Sequence, residues 1–198
     1  MKNILHIILI SFFCLTFISC AKESGSSSSS TTTDNTTTSG AVTTLAGTGS
    51  SGSANGTGTS ASFNSPTGIT TDGTNLYVAE YGNHLIRKIV ISTGVVTTVA
   101  GTGSTGSANG TGTSASFNYP VGITTVGTNL YVADQNNHLI RKIVISTGAV
   151  TTLAGTGSSG SANGTGTSAS FYSPIGITTG GTNLYVADRF NHLIRKIE

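Results

Sequence analysis

A fifteen-residue string that recurs at a fixed spacing constrains this chain more than anything else in it. Asn-Leu-Tyr-Val-Ala, an acidic residue, two variable residues and then Asn-His-Leu-Ile-Arg-Lys-Ile fill 75–89, 129–143 and 183–197, each copy 54 residues after the one before. Apolar β-formers, a polar break and more apolar β-formers make a strand, a turn and a second strand. Repetition of such a unit at one period points to a stacked or radial architecture, in which neighbours cover one another's apolar faces.

Four short strands are expected in each repeat. In the first they fall at 68–71, 76–79, 85–91 and 95–100, separated by Asp72-Gly73-Thr74, by Tyr81-Gly82-Asn83 and by Ser92-Thr93-Gly94. Valine, isoleucine, tyrosine and threonine bounded by Gly, Pro, Asn and Ser are the pattern of an all-β chain. Along the third strand Leu85, Arg87, Ile89 and Ile91 point one way and Ile86, Lys88 and Val90 the other. Apolar side chains on both faces imply a sheet packed between two other sheets. Four-stranded sheets stacked face to face around an axis form a β-propeller.

The tripeptides Asn83-His84-Leu85, Asn137-His138-Leu139 and Asn191-His192-Leu193 carry a resemblance. Each follows Leu-Tyr-Val-Ala-Asp or Glu and precedes Ile-Arg-Lys-Ile, and each repeat also holds Ala-Ser-Phe, two variable residues, Pro, one more and Gly-Ile. Together these resemble NHL repeats. The resemblance spans 41–198, as repeats 41–94, 95–148 and 149–198, and implies NHL-type four-stranded blades, three to the chain. It implies nothing about a ligand.

Three blades raise a closure problem, since propellers have about four to eight. Residues 41–46 read as a fourth-type strand at the front, while the third repeat ends after a third-type strand. A homodimer in which each chain donates 41–46 to the other's last blade would close a six-bladed ring and leave no bare strand edge. A monomeric open arc and a piece of a longer propeller are the alternatives.

The N-terminal residues have another character. Lys2 and Asn3 precede an almost wholly apolar run over 4–18 that stops at Ser19-Cys20. A basic start followed by a short apolar stretch is the layout of an export signal. It resembles a bacterial lipoprotein signal over 1–19, which implies lipid on Cys20 and membrane attachment through it; an ordinary cleaved signal or an uncleaved anchor is the alternative. Residues 20–40 then form a lipidated cysteine and a Ser/Thr-rich tether. The expected location is the bacterial cell envelope, with the outer membrane preferred. Cys14 lies inside the apolar run, so a processed chain would keep Cys20 alone and no intramolecular disulfide.

Charged residues make up 8% of the chain and the net charge is +2, without a basic stripe to neutralise a nucleic-acid backbone. Gly47-Thr48-Gly49-Ser50-Ser51-Gly52 matches a dinucleotide motif, but no helix follows to take a pyrophosphate. His84, His138 and His192 occupy equivalent turns on successive blades, too far apart to share a metal, and read as structural hydrogen-bonding residues. Glu80, Asp134 and Asp188 are expected to accept N–H groups of the turn they precede, and Arg87, Arg141 and Arg195 to pair with those carboxylates or with carbonyls. The innermost strands read Gly-Ile-Thr-Thr and offer no metal ligand on the axis, so neither cofactor, metal nor catalysis is expected.

Differences among the repeats concentrate in two places. One is the turn carrying Tyr81, then Gln135 and Asn136, then Arg189 and Phe190; the other is the loop before the first strand, with Tyr119 and Tyr172. In an up-and-down sheet these segments share one end. Aromatic residues and arginine dominate binding hot spots, so these seven are the candidate ligand face for a protein or glycan, with drift in exposed turns as the alternative. The expected function is a non-catalytic binding or scaffolding module, with a propeller enzyme of lactonase or lyase type and a non-functional fragment as the competing readings.

Overall fold

The computed structural model describes residues 40–198; the expected signal segment, Cys20 and tether residues 22–39 lie outside the described residues. Three antiparallel sheets follow one another along the chain. The first contains β1 (Gly56–Thr57), β2 (Pro66–Thr71), β3 (Asn75–Glu80), β4 (Leu85–Val90) and β5 (Val95–Ala100) in the order β1-β5-β4-β3-β2. The second repeats that order with β6 (Gly110–Thr111), β7 (Pro120–Val126), β8 (Asn129–Asp134), β9 (Leu139–Val144) and β10 (Ala149–Ala154). The third has β11 (Pro174–Thr179), β12 (Leu184–Asp188) and β13 (Leu193–Ile197). The fold is that of a β-propeller, and the three described sheets are blades of it, called first, middle and last in chain order.

The long strands of a blade, four in the first and middle blades and three in the last, alternate direction, so each is joined to the next by a tight turn. Two-residue β1 and β6 add to the outer side of β5 and β10, where the long connection between blades passes. Pattern reasoning missed them, because Gly-Thr has no strand character and pairs only where a finished sheet offers an edge. Within β2 the register shifts between Pro66 and Gly68. This bulge seats Pro66 opposite Glu80 at the strand's start, a tolerable place for a residue that cannot donate to the ladder.

The core lies between blades. Tyr77, Ala79 and Ile86 of the first blade pack on Phe117, Ile123, Leu130 and Val132 of the middle blade, and Ile86 is fully buried. The middle blade repeats the contact, setting Ala133 and Ile140 against Phe171 and Val186 of the last. Each buried Ile, Leu or Phe stabilises the stack by about 1.5–3 kcal/mol. Near the axis the inner strands come so close that glycine is required. A Cβ on Gly68 would collide with the Val121 carbonyl oxygen, and one on Gly122 with that of Ile175.

One expected strand is not formed within the single chain. Residues 41–46 form no strand in this chain, and Val42 is 94% exposed. Equivalent residues 95–100 are a strand because β4 lies beside them, whereas no strand pairs with 41–46 among the described residues. A strand needs a partner as well as a β-forming sequence.

Candidate functional site

Each blade is locked by a buried carboxylate and a buried arginine. Arg87 Nη1 donates to Glu80 Oε2 at 2.8 Å, Arg141 to Asp134 Oδ2 at 2.9 Å and Arg195 to Asp188 Oδ2 at 3.0 Å. The other carboxylate oxygen accepts the backbone N–H of Asn64, Asn118 or Tyr172, at 2.7 Å in each case. This corrects the sequence expectation, since the carboxylate ties down the loop before the blade's first strand and makes no side-chain cap on its own turn. The reason is reach, because β3 runs beside β2 and its last carboxylate lies next to the chain entering β2.

The arginines extend the network outward. Arg87 Nη2 donates to the Ala54 carbonyl at 3.0 Å and to Asn55 Oδ1 at 2.9 Å, and its guanidinium lies 5.2 Å from the Phe63 ring centre. Asn83 donates to Glu80 and, at 2.8 Å, to the Gly52 carbonyl. The middle and last blades reproduce the set around Arg141 over Phe117 and Arg195 over Phe171. Burying an ion pair costs several kcal/mol in desolvation, which this many satisfied hydrogen bonds offsets. Glu80 and Arg87 are wholly buried, so these groups hold loops and meet no solute.

The histidines join one blade to the next. His84 Nδ1 accepts the backbone N–H of Tyr119 at 3.1 Å, and His138 Nδ1 accepts that of Ser173 at 3.1 Å. Burial lowers the pKa of both rings, with Asp188 acting in the opposite sense on His138. A neutral ring suits this bond, since a protonated Nδ1 cannot accept. Both partners sit in left-handed backbone, with φ of +56° at His84, His138 and Tyr119 and +52° at Ser173. Non-glycine residues held there are strained and signal a position fixed by its surroundings. That Tyr119 and Ser173 each precede a proline was the one sequence hint of unusual geometry. Among the described residues no three His, Cys, Asp or Glu side chains come together as a metal site.

At the same end of each blade, backbone bonds clamp the two variable segments together. Tyr81 N–H donates to the Ser65 carbonyl, Gln135 N–H to that of Tyr119 and Phe190 N–H to that of Tyr172. Tyr81 and Tyr119 rings lie 4.5 Å apart, tilted by 35°, and Tyr119 meets His84 edge-on at 4.6 Å. Tyr172 and Phe190 form a second pair at 5.1 Å, with the Arg189 guanidinium 4.7 Å from the Phe190 ring centre. Tyr172 is 41% and Phe190 47% exposed, while Tyr81, Tyr119 and Gln135 are half-buried and Asn136 is exposed. The seven candidate residues therefore sit in joined turns at one end of the three blades.

No family model matches the sequence. Over 108 residues, 52% of the chain, it is 39% identical to human NHL repeat-containing protein 2, and over 97 residues it is 38% identical to the Gallus gallus protein of that name. The repeats are NHL repeats. This chain spans 15% and 13% of the length of those relatives. Among solved structures, an auxiliary nutrient binding protein from Bacteroides thetaiotaomicron matches 66% of the chain with a TM-score of 0.59 and 26% identity. Another auxiliary nutrient binding protein, from Bacteroides ovatus, matches 64% with a TM-score of 0.57 and 28% identity. The chain covers 36% and 35% of these two structures. Each repeat thus divides its residues in two: the shared acidic residue and arginine are buried in bonds that build the blade, and the unshared pair just ahead of Asn-His-Leu is half-buried or exposed.

Proposed function

We propose that this protein is a non-catalytic binding module, exported and held on the bacterial envelope by lipid on Cys20, whose aromatic turn face captures an oligosaccharide. The observation that carries the reading is the pairing of Tyr81 with Tyr119 and of Tyr172 with Phe190 at the end where the repeats differ. Exposed rings offer flat apolar area with little side-chain entropy to lose. Arg189, Gln135 and Asn136 beside them supply hydrogen-bond donors for hydroxyl groups. Saccharides combine apolar ring faces with hydroxyl edges and fit that mixture. Support also comes from the two structural relatives named auxiliary nutrient binding proteins, which share the blade architecture.

The test is binding of the full chain to an immobilised oligosaccharide panel, followed by titration of any hit with Phe190→Ala and Arg189→Ala. A loss of at least about tenfold in affinity for each, equivalent to about 1.4 kcal/mol, is expected. Absence of any saccharide binding, or binding indifferent to both substitutions, overturns the reading. Metabolic labelling with a fatty acid tests the anchor, since the label should enter the wild type and not Cys20→Ser.

A further inference from the structure

We propose that two copies of this chain join head to tail into one closed ring, each copy inserting residues 42–46 as the outer strand of the other's last blade. The proposal is independent of what the turn face binds. It rests on a slot, on a segment that fits it, and on two blade faces that match.

The slot lies beside β13, which among the described residues pairs only with β12. A groove of about 470 Å³ runs along its open side, with Arg195 and Ile197 on one wall and Asn163, Gly164 and Thr165 on the other. In the first blade β5 fills this place, between β4 and β1, and in the middle blade β10 fills it between β9 and β6. The last blade thus keeps both walls of a strand site.

Residues 42–46 stand one 54-residue period ahead of 96–100 and have nearly the same sequence. In the first blade Ile89 and Gly56 both face Val96, Lys88 faces Thr97 and Arg87 faces Thr98. Carried forward two repeats, Ile197 and Gly164 would face Val42 of the second copy, Lys196 its Thr43 and Arg195 its Thr44. Asn163 would accept the Thr44 hydroxyl as Asn55 accepts that of Thr98 and Asn109 that of Thr152, both at 3.4 Å. Gly40 already has φ +71°, matching +69° at Gly94 and +70° at Gly148 just ahead of the two seated strands. Val42, 94% exposed here, would reach the state of Val96 and Val150, which are 1% and 2% exposed.

The faces match in the same way. Ile194 is 77% exposed on the last blade, while its equivalents Ile86 and Ile140 are fully buried against the next blade. Ile69 is 61% exposed on the opposite face of the first blade, while Ile123 is 6% exposed. Beside Ile69 lies an apolar hollow of about 250 Å³ lined by Phe63, Val78 and Ile89, the counterparts of the residues that receive Ile86. Ser65, with φ +50°, presents its N–H as Tyr119 and Ser173 do, and would donate to His192 of the second copy. A second copy is the occupant because the same chain already shows this contact twice between its own blades.

Mass by light scattering, on the full chain in mild detergent with the detergent contribution subtracted, should be twice that of one chain, which is 19.9 kDa before any processing. A monomer, or an open-ended polymer, overturns the proposal. Two variants then separate this contact from any other self-association. Gly176→Ala adds a methyl that meets only the Ala187 Cβ at 3.4 Å, an ordinary contact within the chain. Across the proposed contact it would strike the inner strand of the second copy, as a Cβ on Gly68 or Gly122 would strike the next blade. Thr44→Pro removes a ladder N–H from an exposed segment that forms no strand in its own chain. Both should halve the mass at micromolar concentration with unchanged circular dichroism, and a dimer that survives both refutes the head-to-tail geometry.

Discussion

The middle and last blades carry the same Leu-Ile-Arg-Lys-Ile strand in different surroundings. In the middle blade Leu139 is 5% exposed and Ile140 fully buried; in the last, Leu193 is 42% and Ile194 77% exposed. The arginine barely notices, since Arg141 is fully buried and Arg195 9% exposed, and each keeps its carboxylate, its carbonyls and its phenylalanine. Contacts made inside a blade are therefore set by that repeat alone, while contacts between blades depend on which neighbour is present. In repeat proteins stability divides into such intrinsic and interface parts.

Arg141→Ala gives the largest expected effect. It strands a buried carboxylate and should cost about 3–5 kcal/mol in urea unfolding. Arg195→Ala should cost nearly as much, because its network lies within the last blade. A negligible cost there would break the division between the two kinds of contact. Ile140→Ala should follow, at about 2–5 kcal/mol for a cavity at a blade interface. Ile194→Ala should stay within about 0.5 kcal/mol wherever the chain is monomeric, the range of an exposed substitution. If Ile194→Ala becomes costly as protein concentration rises, the last blade has acquired the neighbour that the middle blade already has.

This division also explains what could be read from the sequence. The repeat period, four strands to a blade and the apolar double face of β4 were legible because they are local and occur three times. Pairing of Arg87 with a carboxylate was legible from a charge flanked by apolar neighbours. The bond from Tyr119 to His84 was not, since it joins residues 35 positions apart in different blades and depends on backbone that a proline and a left-handed turn dictate. The state of residues 41–46 was not legible for the complementary reason. Their strand propensity is real, but whether they are a strand depends on an edge beside them. Gathering of the seven variable residues into joined turns followed from up-and-down connectivity, whereas the pairing of their rings needed side-chain positions.

Those bonds between blades predict a pH effect smaller than the core losses. His84 and His138 have pKa values below the ordinary 6.5 because burial disfavours their charged forms. The unfolded chain then binds more protons than the folded one between the two values. Their contribution is complete above about pH 6.5 and is lost as pH falls through the lowered folded value. Urea midpoints should drop as pH falls from 7 toward 5. The His84→Asn, His138→Asn double variant should flatten that slope, because asparagine tolerates the left-handed backbone and does not titrate. An unchanged slope would assign the pH dependence to other groups.

The smallest expected effects separate the two ring pairs of the turn face. Tyr119 is half-buried, stacks on Tyr81 and touches the edge of His84, so it belongs partly to the contact between the first and middle blades. Tyr119→Ala should lower stability by about 0.5–1.5 kcal/mol, the worth of an aromatic pair beyond its buried area. Phe190 is 47% exposed and touches only Tyr172 and Arg189 among the ring and cation contacts, both within its own blade. Phe190→Ala should therefore change stability by no more than about 0.5 kcal/mol. Thermal melts of the two variants side by side give the ordering. If Phe190→Ala proves the more destabilising, the second pair holds the blade together, and a ligand-capturing role for that end of the face loses its basis.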